Sequence, residues 1–371
     1  MVFEDLQYVL ALQKVEGVGD IVAKKLINHC GSAREVFNSK SQHLKSIDGV
    51  GDVLIKNLKD KTVHEKAEQE LKFIEAEKIN FCYYQNENYP DRLKHCIDGP
   101  ILLFSAGNID FNNRRMISIV GTREITSYGT EFCKKLIEDL AVFNPIIVSG
   151  FAYGVDIVAH KAAMDNNLQT IGVLAHGLNQ IYPKTHKKYV AKMEQNGGFL
   201  TEFWSNSNPD KENFVRRNRI VAGMSEATIV IESAEKGGSL ITANIANDYS
   251  RDVFAVPGRT TDKYSQGCND LIKTQRANLM TSAADLIYNL NWELETDTKS
   301  RKDKSIQKQL FVSLDNDEQK IYDYLQKNGK QLLDVIALDC DFPIFKISSI
   351  LLNMELKGVI RPLPGKLFEA V

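Results

Sequence analysis

The stretch ISIVGTREITSYG, residues 117–129, decides the fold. An apolar run of four residues leads into a glycine turn, and hydroxyl-bearing residues then open a helical segment. Five further apolar runs recur with helical patterns between them, at residues 146–148, 170–174, 199–201, 228–231 and 253–256. Parallel strands buried on both faces have this continuous apolar character. The pattern predicts an α/β fold with a doubly wound, Rossmann-like parallel sheet, in which ligands bind at the carboxyl ends of the strands.

The composition restricts the class of protein. The 371 residues are 43% hydrophobic and 25% charged, which is typical of a globular protein and excludes disordered and disulfide-stapled classes. The 46 Lys and Arg residues are balanced by 48 Asp and Glu residues, for a net charge of -2. This balance argues against a polybasic protein that coats nucleic acid with its whole surface, but it is compatible with a local basic groove.

Cysteines and terminal patterns add further expectations. The six cysteines include no CxxC pair, so we expect neither a zinc site nor a disulfide framework. Acidic residues stand where a signal peptide would carry positive charge, and there is no apolar run of about 18 residues. We therefore expect a cytoplasmic protein.

The segments on either side of the sheet predict smaller domains. We expect a small all-α domain of helix-hairpin-helix (SAM-like) type at residues 1–62, the extended Rossmann-like domain at 63–295, a charged linker at 296–312 and a winged helix at 313–371. Winged helices bind duplex DNA or mediate protein contacts. The predicted recognition stretch, residues 344–350, has a single basic residue, which favours a partner or regulatory role.

Two glycine turns in the first 60 residues resemble each other. Gly17 and Gly19 belong to one GVG phrase, Gly49 and Gly51 to another, and a helical run follows each. Such turns present the N–H groups of the next helix, which can hold a phosphate without reading a base. The alternative is a pair of ordinary helix junctions in a structural domain.

The first strand end predicts an anion site. Gly121, Thr122 and Arg123 combine a glycine turn, a hydroxyl and a guanidinium at the start of a helix, and together these groups can grip a phosphate. No GxGxxG or GxxxxGK[ST] motif occurs, so a dinucleotide cofactor and P-loop ATP hydrolysis are disfavoured.

After the second strand, Asp156 and His160 lie four residues apart, and we interpret them as a structural hydrogen-bonded pair.

Basic and aromatic residues follow the later strands. Between residues 181 and 219 there are eight Lys or Arg residues against four acidic ones. Arginines for phosphates and aromatic rings for bases are the parts of a groove for single-stranded nucleic acid. A solvated helix face is the alternative. The candidate binding residues here are Lys184, Phe214, Arg216, Arg217, Asn218 and Arg219, with Tyr182 as a second stacking ring. Gly237, Gly238 and Ser239 add a backbone nest for an anion after the fifth strand.

These motifs together resemble the DNA-processing protein A family (DprA, also called Smf), whose members protect incoming single-stranded DNA and load the recombinase RecA during natural transformation. In order and spacing, the resemblance covers Tyr89 to about Leu290. It rests on the turn at 121–123, SGFAYGVDIVAH from Ser149, YPK at 182–184, RRNRI from Arg216, KGGSLITA from Lys236, and FAVPG through SQGCNDLI at 254–272.

The resemblance implies a basic pocket for single-stranded DNA at the sheet edge, a homodimer, and no cofactor, metal or catalytic residue. RecA and a single-strand-binding protein are the implied partners. The family's pocket arginine falls on Arg123 and its lysine on Lys184. Thr122 stands where serine is common and retains a hydroxyl, whereas Val215 stands where proline is frequent, next to Phe214.

Two alternatives stay open at this point. One is a phosphoribohydrolase of nucleoside monophosphates, a Rossmann-like class marked by PGGxGTxxE. The segment 237–242 lacks its Gly-Thr and its glutamate. The other alternative keeps the DNA-binding fold but places it in repair or phage defence.

Overall fold

The computed structural model describes residues 3–112, 115–293, 314–363 and 367–371. The chain divides into two units, Met1–Leu294 and Glu295–Val371. The predicted linker at 296–312 lies outside the described residues. Among the helices of the described ranges, none combines the length and apolar character that crossing a membrane requires.

The helices that precede the sheet of the first unit are α1 Phe3–Lys14, α2 Asp20–Cys30, α3 Ala33–Asn38, α4 Ser41–Lys45, α5 Asp52–Leu58 and α6 Thr62–Ala76. Gly17 and Gly49 turn the chain shortly before α2 and α5 with φ of +86° and +85°, a left-handed backbone that favours glycine. Leu6 and Leu26 of these helices share one buried cluster with Leu102 of the sheet. The helical and α/β parts therefore have a continuous core.

Nine strands form the sheet: β1 Asn80–Tyr83, β2 Leu102–Asn108, β3 Met116–Val120, β4 Ile146–Ser149, β5 Thr170–Val173, β6 Gly197–Thr201, β7 Ala227–Val230, β8 Asp252–Ala255 and β9 Asn278–Leu279. The helices around it are α7 Asp91–Lys94, α8 Ser127–Leu140, α9 Val155–Asp165, α10 Lys187–Gln195, α11 Lys211–Met224, α12 Gly238–Asp248, α13 Gln266–Lys273 and α14 Ala283–Asn289, with 3-10 helices at Ala141–Phe143 and Lys184–His186. All six predicted strand runs correspond to strands of this sheet.

The strand order is β1-β2-β6-β5-β4-β3-β7-β8-β9. Strands β3 to β9 pair in parallel, and β1 and β2 are added antiparallel at the β6 edge. From β3 the chain builds the sheet outward through β4, β5 and β6, then crosses by α11 to β7 on the other side of β3. The predicted Rossmann-like architecture is confirmed, and the order reverses at β3.

The predicted hydrogen bond between Asp156 and His160 is wrong, although both side chains are buried on α9. An Asp156 carboxylate oxygen accepts from the Ala152 N–H at 3.1 Å, and His160 Nδ1 lies 2.7 Å from Thr170 Oγ1. Because that hydroxyl donates to a backbone carbonyl, it accepts from the Nδ1–H of a neutral imidazole. Burial lowers the pKa of His160 to about 3, which keeps it neutral.

The second unit is the predicted winged helix. It contains α15 Asn316–Asn328, β10 Gln331–Leu332, α16 Leu333–Asp339, α17 Ile344–Leu356, β11 Ile360–Leu363 and β12 Leu367–Ala370, with strand order β10-β12-β11. Ile321, Ile336 and Leu351 of the three helices pack in one core. Lys346, the single base of the predicted recognition stretch, pairs with Asp317 at 2.7 Å. Residues 364–366 of the predicted wing lie outside the described residues.

Candidate nucleic-acid interface

A cavity of about 360 Å³ opens where the strand order reverses. Its floor is formed by the turns after β3, β4 and β7, and α11 covers one side. We call it the switch cavity. The structure brings nine of the predicted binding residues to its lining: Gly121, Thr122, Arg123, Phe214, Arg217, Asn218, Gly237, Gly238 and Ser239. Open α/β sheets bind ligands at such a reversal, because neighbouring connections diverge there.

The turn after β3 is fixed by its backbone. The Thr122 N–H donates to the Glu232 carbonyl at 2.8 Å, and the Thr122 carbonyl accepts from the Val155 N–H at 3.1 Å. A Cβ on Gly121 would lie 2.4 Å from the Val155 side chain, so this close approach requires glycine. The rigid turn presents Arg123, whose side chain is exposed and forms no ion pair within the described ranges.

Aromatic rings lie beside this free guanidinium. The Phe214 ring centroid is 5.3 Å from the guanidinium carbon of Arg123 and 6.0 Å from the ring centroid of Tyr182. Tyr182 is 41% exposed. A charged group for phosphate thus stands next to two rings on which bases can stack.

Arg217 has a structural role beneath these groups. Its side chain is buried, and it donates to the carbonyl oxygens of Gly150, at 2.7 Å, and Val173. Burial lowers the pKa of Arg217 to about 10, and the negative charge of Asp156 opposes this shift. Burial likewise raises the pKa of Asp156, while the Arg217 charge lowers it. The two buried charges therefore support each other in the cavity floor.

Arg216 and Arg219, two of the predicted binding residues, are not part of the lining of the switch cavity. A terminal nitrogen of Arg216 lies 2.6 Å from a Glu202 carboxylate oxygen, and one of Arg219 lies 2.5 Å from the same oxygen. Arg219 also pairs with Asp20 at 3.1 Å. Residues 216 and 219 are three apart and so share a helix face, whereas Arg217 is turned away from them. This second face ties the N-terminal helices to the sheet.

The predicted nest residues after β7 lie at the N-cap and first turn of α12. Ser239 Oγ donates to Ser233 Oγ at 2.9 Å, which fixes the turn, and a Cβ on Gly237 would lie 2.3 Å from that Ser233 oxygen. Gly238 begins the helix and faces open space. The helix N-terminus therefore adds partial positive charge to the switch cavity.

Lys184 lies on the same sheet edge but is not part of the cavity lining. It is exposed and begins the 3-10 helix that follows Pro183. The hydroxyl of the next residue, Thr185, is 3.2 Å from that of Tyr153, which follows the cavity residue Ala152.

Sequence reasoning did not single out Lys211, an exposed lysine of the cavity lining at the first position of α11. Its only signal was its place in the local excess of basic residues.

The two glycine turns of the N-terminal helices have different surroundings. Asp20, directly after Gly19, accepts from the Ile101 N–H at 2.9 Å and pairs with Arg219, so the first turn is docked on the sheet. The glycines of both turns are exposed, namely Gly17, Gly19, Gly49 and Gly51.

Comparisons with known proteins show which family this chain is similar to. A family model described as DNA recombination-mediator protein A matches residues 80–291, and the DprA winged helix domain matches residues 309–366. Protein Smf of Escherichia coli strain K12 is 34% identical over 303 residues, covering 80% of this chain and 79% of that protein. DNA processing protein DprA of Streptococcus pneumoniae strain R6 is 39% identical over 199 residues, covering 54% of this chain and 70% of its own.

Two solved structures are similar. DNA processing protein A from Streptococcus pneumoniae aligns with a TM-score of 0.64 and 30% identity, over 76% of this chain and 97% of its own. The same protein from Helicobacter pylori, whose structure concerns its single-stranded DNA binding mode, aligns with a TM-score of 0.52 and 29% identity, over 57% of this chain and 95% of its own.

Replacing Arg217 with Met is expected to lower the free energy of unfolding by about 1–3 kcal/mol for each backbone carbonyl that loses its buried donor. Asp156 would lose its compensating charge, and two buried carbonyls would lose their donor. Urea unfolding measures the change. Val215→Ala, at a 46% exposed position on the same helix, is the control and should shift stability by no more than about 0.5 kcal/mol. Wild-type stability of the Met variant would contradict the structural role.

Proposed function

The chain belongs to the DNA recombination-mediator protein A family, and from this premise we propose that it binds single-stranded DNA in the switch cavity, protects that DNA and loads RecA onto it in natural transformation. The observation that carries the proposal is the contact between the free Arg123 guanidinium and the Phe214 ring, beside Tyr182. The structure of the Helicobacter pylori relative, which concerns single-stranded DNA binding, supports it.

The chemistry of the cavity favours a single strand over a duplex. Base faces are hidden in a duplex, whereas an unpaired strand can place a base on Phe214 or Tyr182 and its phosphate on Arg123. The N-terminus of α12 at Gly238 supplies a further place for a phosphate. Lys184 and Lys211 extend the positive charge along the edge. Recognition of this kind depends little on sequence, which suits DNA of arbitrary origin.

For Arg216 and Arg219 we propose a structural role in place of direct DNA contact, because their guanidinium groups pair with Glu202 and Asp20. Their role in this proposal is to hold α11 in place, so that Phe214 faces the switch cavity.

We propose a binding protein of the cytoplasm that acts as a homodimer with RecA and a single-strand-binding protein as partners, and not as an enzyme. The phosphoribohydrolase alternative has no support from the segment that begins at Gly237, which lacks the Gly-Thr and the glutamate at the offset of that class's motif. Repair and phage defence would use the same cavity on other DNA.

Double substitution of Arg123 and Lys184 by Ala is expected to weaken single-strand binding and to flatten its salt dependence. Each phosphate that the variant no longer binds should reduce the slope of log affinity against log salt by about 0.7 for single strands. Fluorescence anisotropy with a labelled oligonucleotide over a salt series measures both quantities. Lys134→Ala, an exposed lysine of α8 away from the switch cavity, is the matched control. A folded double variant with the wild-type slope would contradict the proposed site.

The second glycine turn of the N-terminal helices is the one that we propose for a secondary phosphate contact, because the first is docked on the sheet. Gly51 precedes α5 with φ of -98°, and a Cβ there meets nothing within 4 Å, so other residues fit. Gly51→Asp should weaken DNA binding by charge repulsion, while its side chain still caps the helix. Gly51→Ser provides the same cap without charge and is the control. Equal affinities of the two variants in a salt series would show that this turn does not approach DNA.

Loading of RecA tests the proposed mediator role directly. With DNA coated by single-strand-binding protein, wild-type protein is expected to shorten the lag of RecA's DNA-dependent ATP hydrolysis. The Arg123 and Lys184 double variant should leave the lag unchanged. Tight DNA binding by the wild type without any effect on the lag would identify a plain DNA-binding protein and contradict the mediator role.

A further inference from the structure

A second cavity, of about 900 Å³, lies at the carboxyl ends of β7 and β8. Its walls come from the start of α8, with Thr126 and Tyr128, and from the loop that follows β8. That loop contributes Arg259, Lys263 and Tyr264. We call this space the loop cavity. None of its residues belongs to the switch cavity or to the binding residues considered so far.

The two cavities share a wall. The turn after β3 has Arg123 in the lining of the switch cavity and Thr126 in that of the loop cavity. On the other side, the Ser233 N–H donates to the Tyr264 carbonyl at 2.6 Å, and Ser233 Oγ accepts from Ser239 of the switch cavity. The loop after β8 is therefore attached to the same turn that forms the anion nest.

The groups around the loop cavity repeat the chemistry of the switch cavity. Tyr128 is 52% exposed, and its hydroxyl donates to the Pro257 carbonyl at 3.2 Å, which orients the ring. The Lys263 ammonium lies 4.9 Å from the centroid of the Tyr264 ring. In the part of the chain that the structure describes, neither Arg259 nor Lys263 forms an ion pair with a carboxylate.

Two of the acidic groups nearby accept hydrogen bonds, and the third, Asp262, belongs to the lining of the loop cavity. The buried Glu232 carboxylate accepts from the Thr126 N–H at 2.8 Å and from its hydroxyl at 2.5 Å. Glu124 accepts from the Tyr264 hydroxyl. Asp262 is exposed at the loop. The two carboxylates with hydrogen-bond donors thus brace the walls, and two cations without ion pairs lie beside two aromatic rings at the loop cavity.

We propose that the loop cavity is a second subsite for the same DNA strand, in which a base stacks on Tyr128 or Tyr264 and the adjoining phosphates contact Arg259 and Lys263. The strand then crosses the shared wall at the turn after β3 and runs over the ends of β7 and β8. This inference rests on the proposed function, because it assumes that the strand occupies the switch cavity.

Oligonucleotide length separates the two subsites. We compare oligothymidylates of roughly 4 and roughly 12 nucleotides, the range of lengths that single-strand sites commonly cover. Arg259→Gln combined with Lys263→Gln should flatten the salt slope for the longer strand by about 1.4, which corresponds to two phosphates. The shorter strand, held in the switch cavity, should keep its wild-type slope. Lys134→Gln with Lys273→Gln, two exposed lysines of α8 and α13 outside both cavities, is the matched control.

Tyr128 tests the stacking component. Tyr128→Ala should lower the affinity for the longer strand at least about fivefold. Tyr128→Phe keeps the ring and should bind this strand nearly as tightly as the wild type does. A wild-type slope for the longer strand in the Arg259 and Lys263 variant overturns the proposal. Equal losses of affinity for both oligonucleotide lengths also overturn it. The same holds if dTMP binding depends on these residues while binding of the longer strand is unaffected, because the cavity would then be an independent nucleotide site.

If the proposed function itself is wrong, the binding results differ from those expected when only the second subsite is wrong. In that case the wild-type protein itself binds neither strand, or binds both without dependence on Arg123. If only the second subsite is wrong, binding still depends on Arg123, and the loop variants match their control.

Discussion

The reversal of strand order at β3 is the constraint on which the rest of this molecule depends. A sheet that grows in both directions from one strand must send consecutive connections to opposite sides, and a gap opens between them. The turns that border this gap have to be tight, because strand and helix backbones approach closely there. Gly121 meets this requirement by having no side chain. The free cation of Arg123 and the N-terminus of α12 at Gly238 then face the gap.

Helix α11 separates two electrostatic environments. Arg217 compensates a buried carboxylate under the switch cavity, and Arg216 and Arg219 compensate two more between the helical part and the sheet. All three are thus committed to the fold. Among the described residues of this sheet edge, the exposed cations without such partners include Arg123, Lys184, Lys211, Arg259 and Lys263. A net charge of -2 for the whole chain is therefore compatible with a positive surface confined to one sheet edge.

The sequence was sufficient to predict the sheet, but it did not predict where every side chain points. Six buried parallel strands were predictable, because each appears as a short, largely apolar run between helical patterns. The short β1 and β9 carry too few residues for such a signal. The spacing of Arg216 and Arg219 indicates a shared helix face, but their partner Asp20 lies nearly 200 residues away, and only the folded chain brings it there. Similarly, spacing allowed Asp156 to reach His160, whereas Thr170 on the neighbouring strand offered the imidazole a better acceptor.

The strands at the two edges of the large sheet are short, which limits aggregation through strand pairing. The antiparallel addition at the β6 side ends in β1, which has four residues, and the opposite edge ends in β9, which has two. Unpaired edge strands are templates on which other chains can add strands and aggregate, and proteins commonly shorten them for that reason. Within the ranges that the structure describes, the seven-strand parallel core presents no long open edge. Crowded copies of this chain therefore have little tendency to add to one another through their sheets.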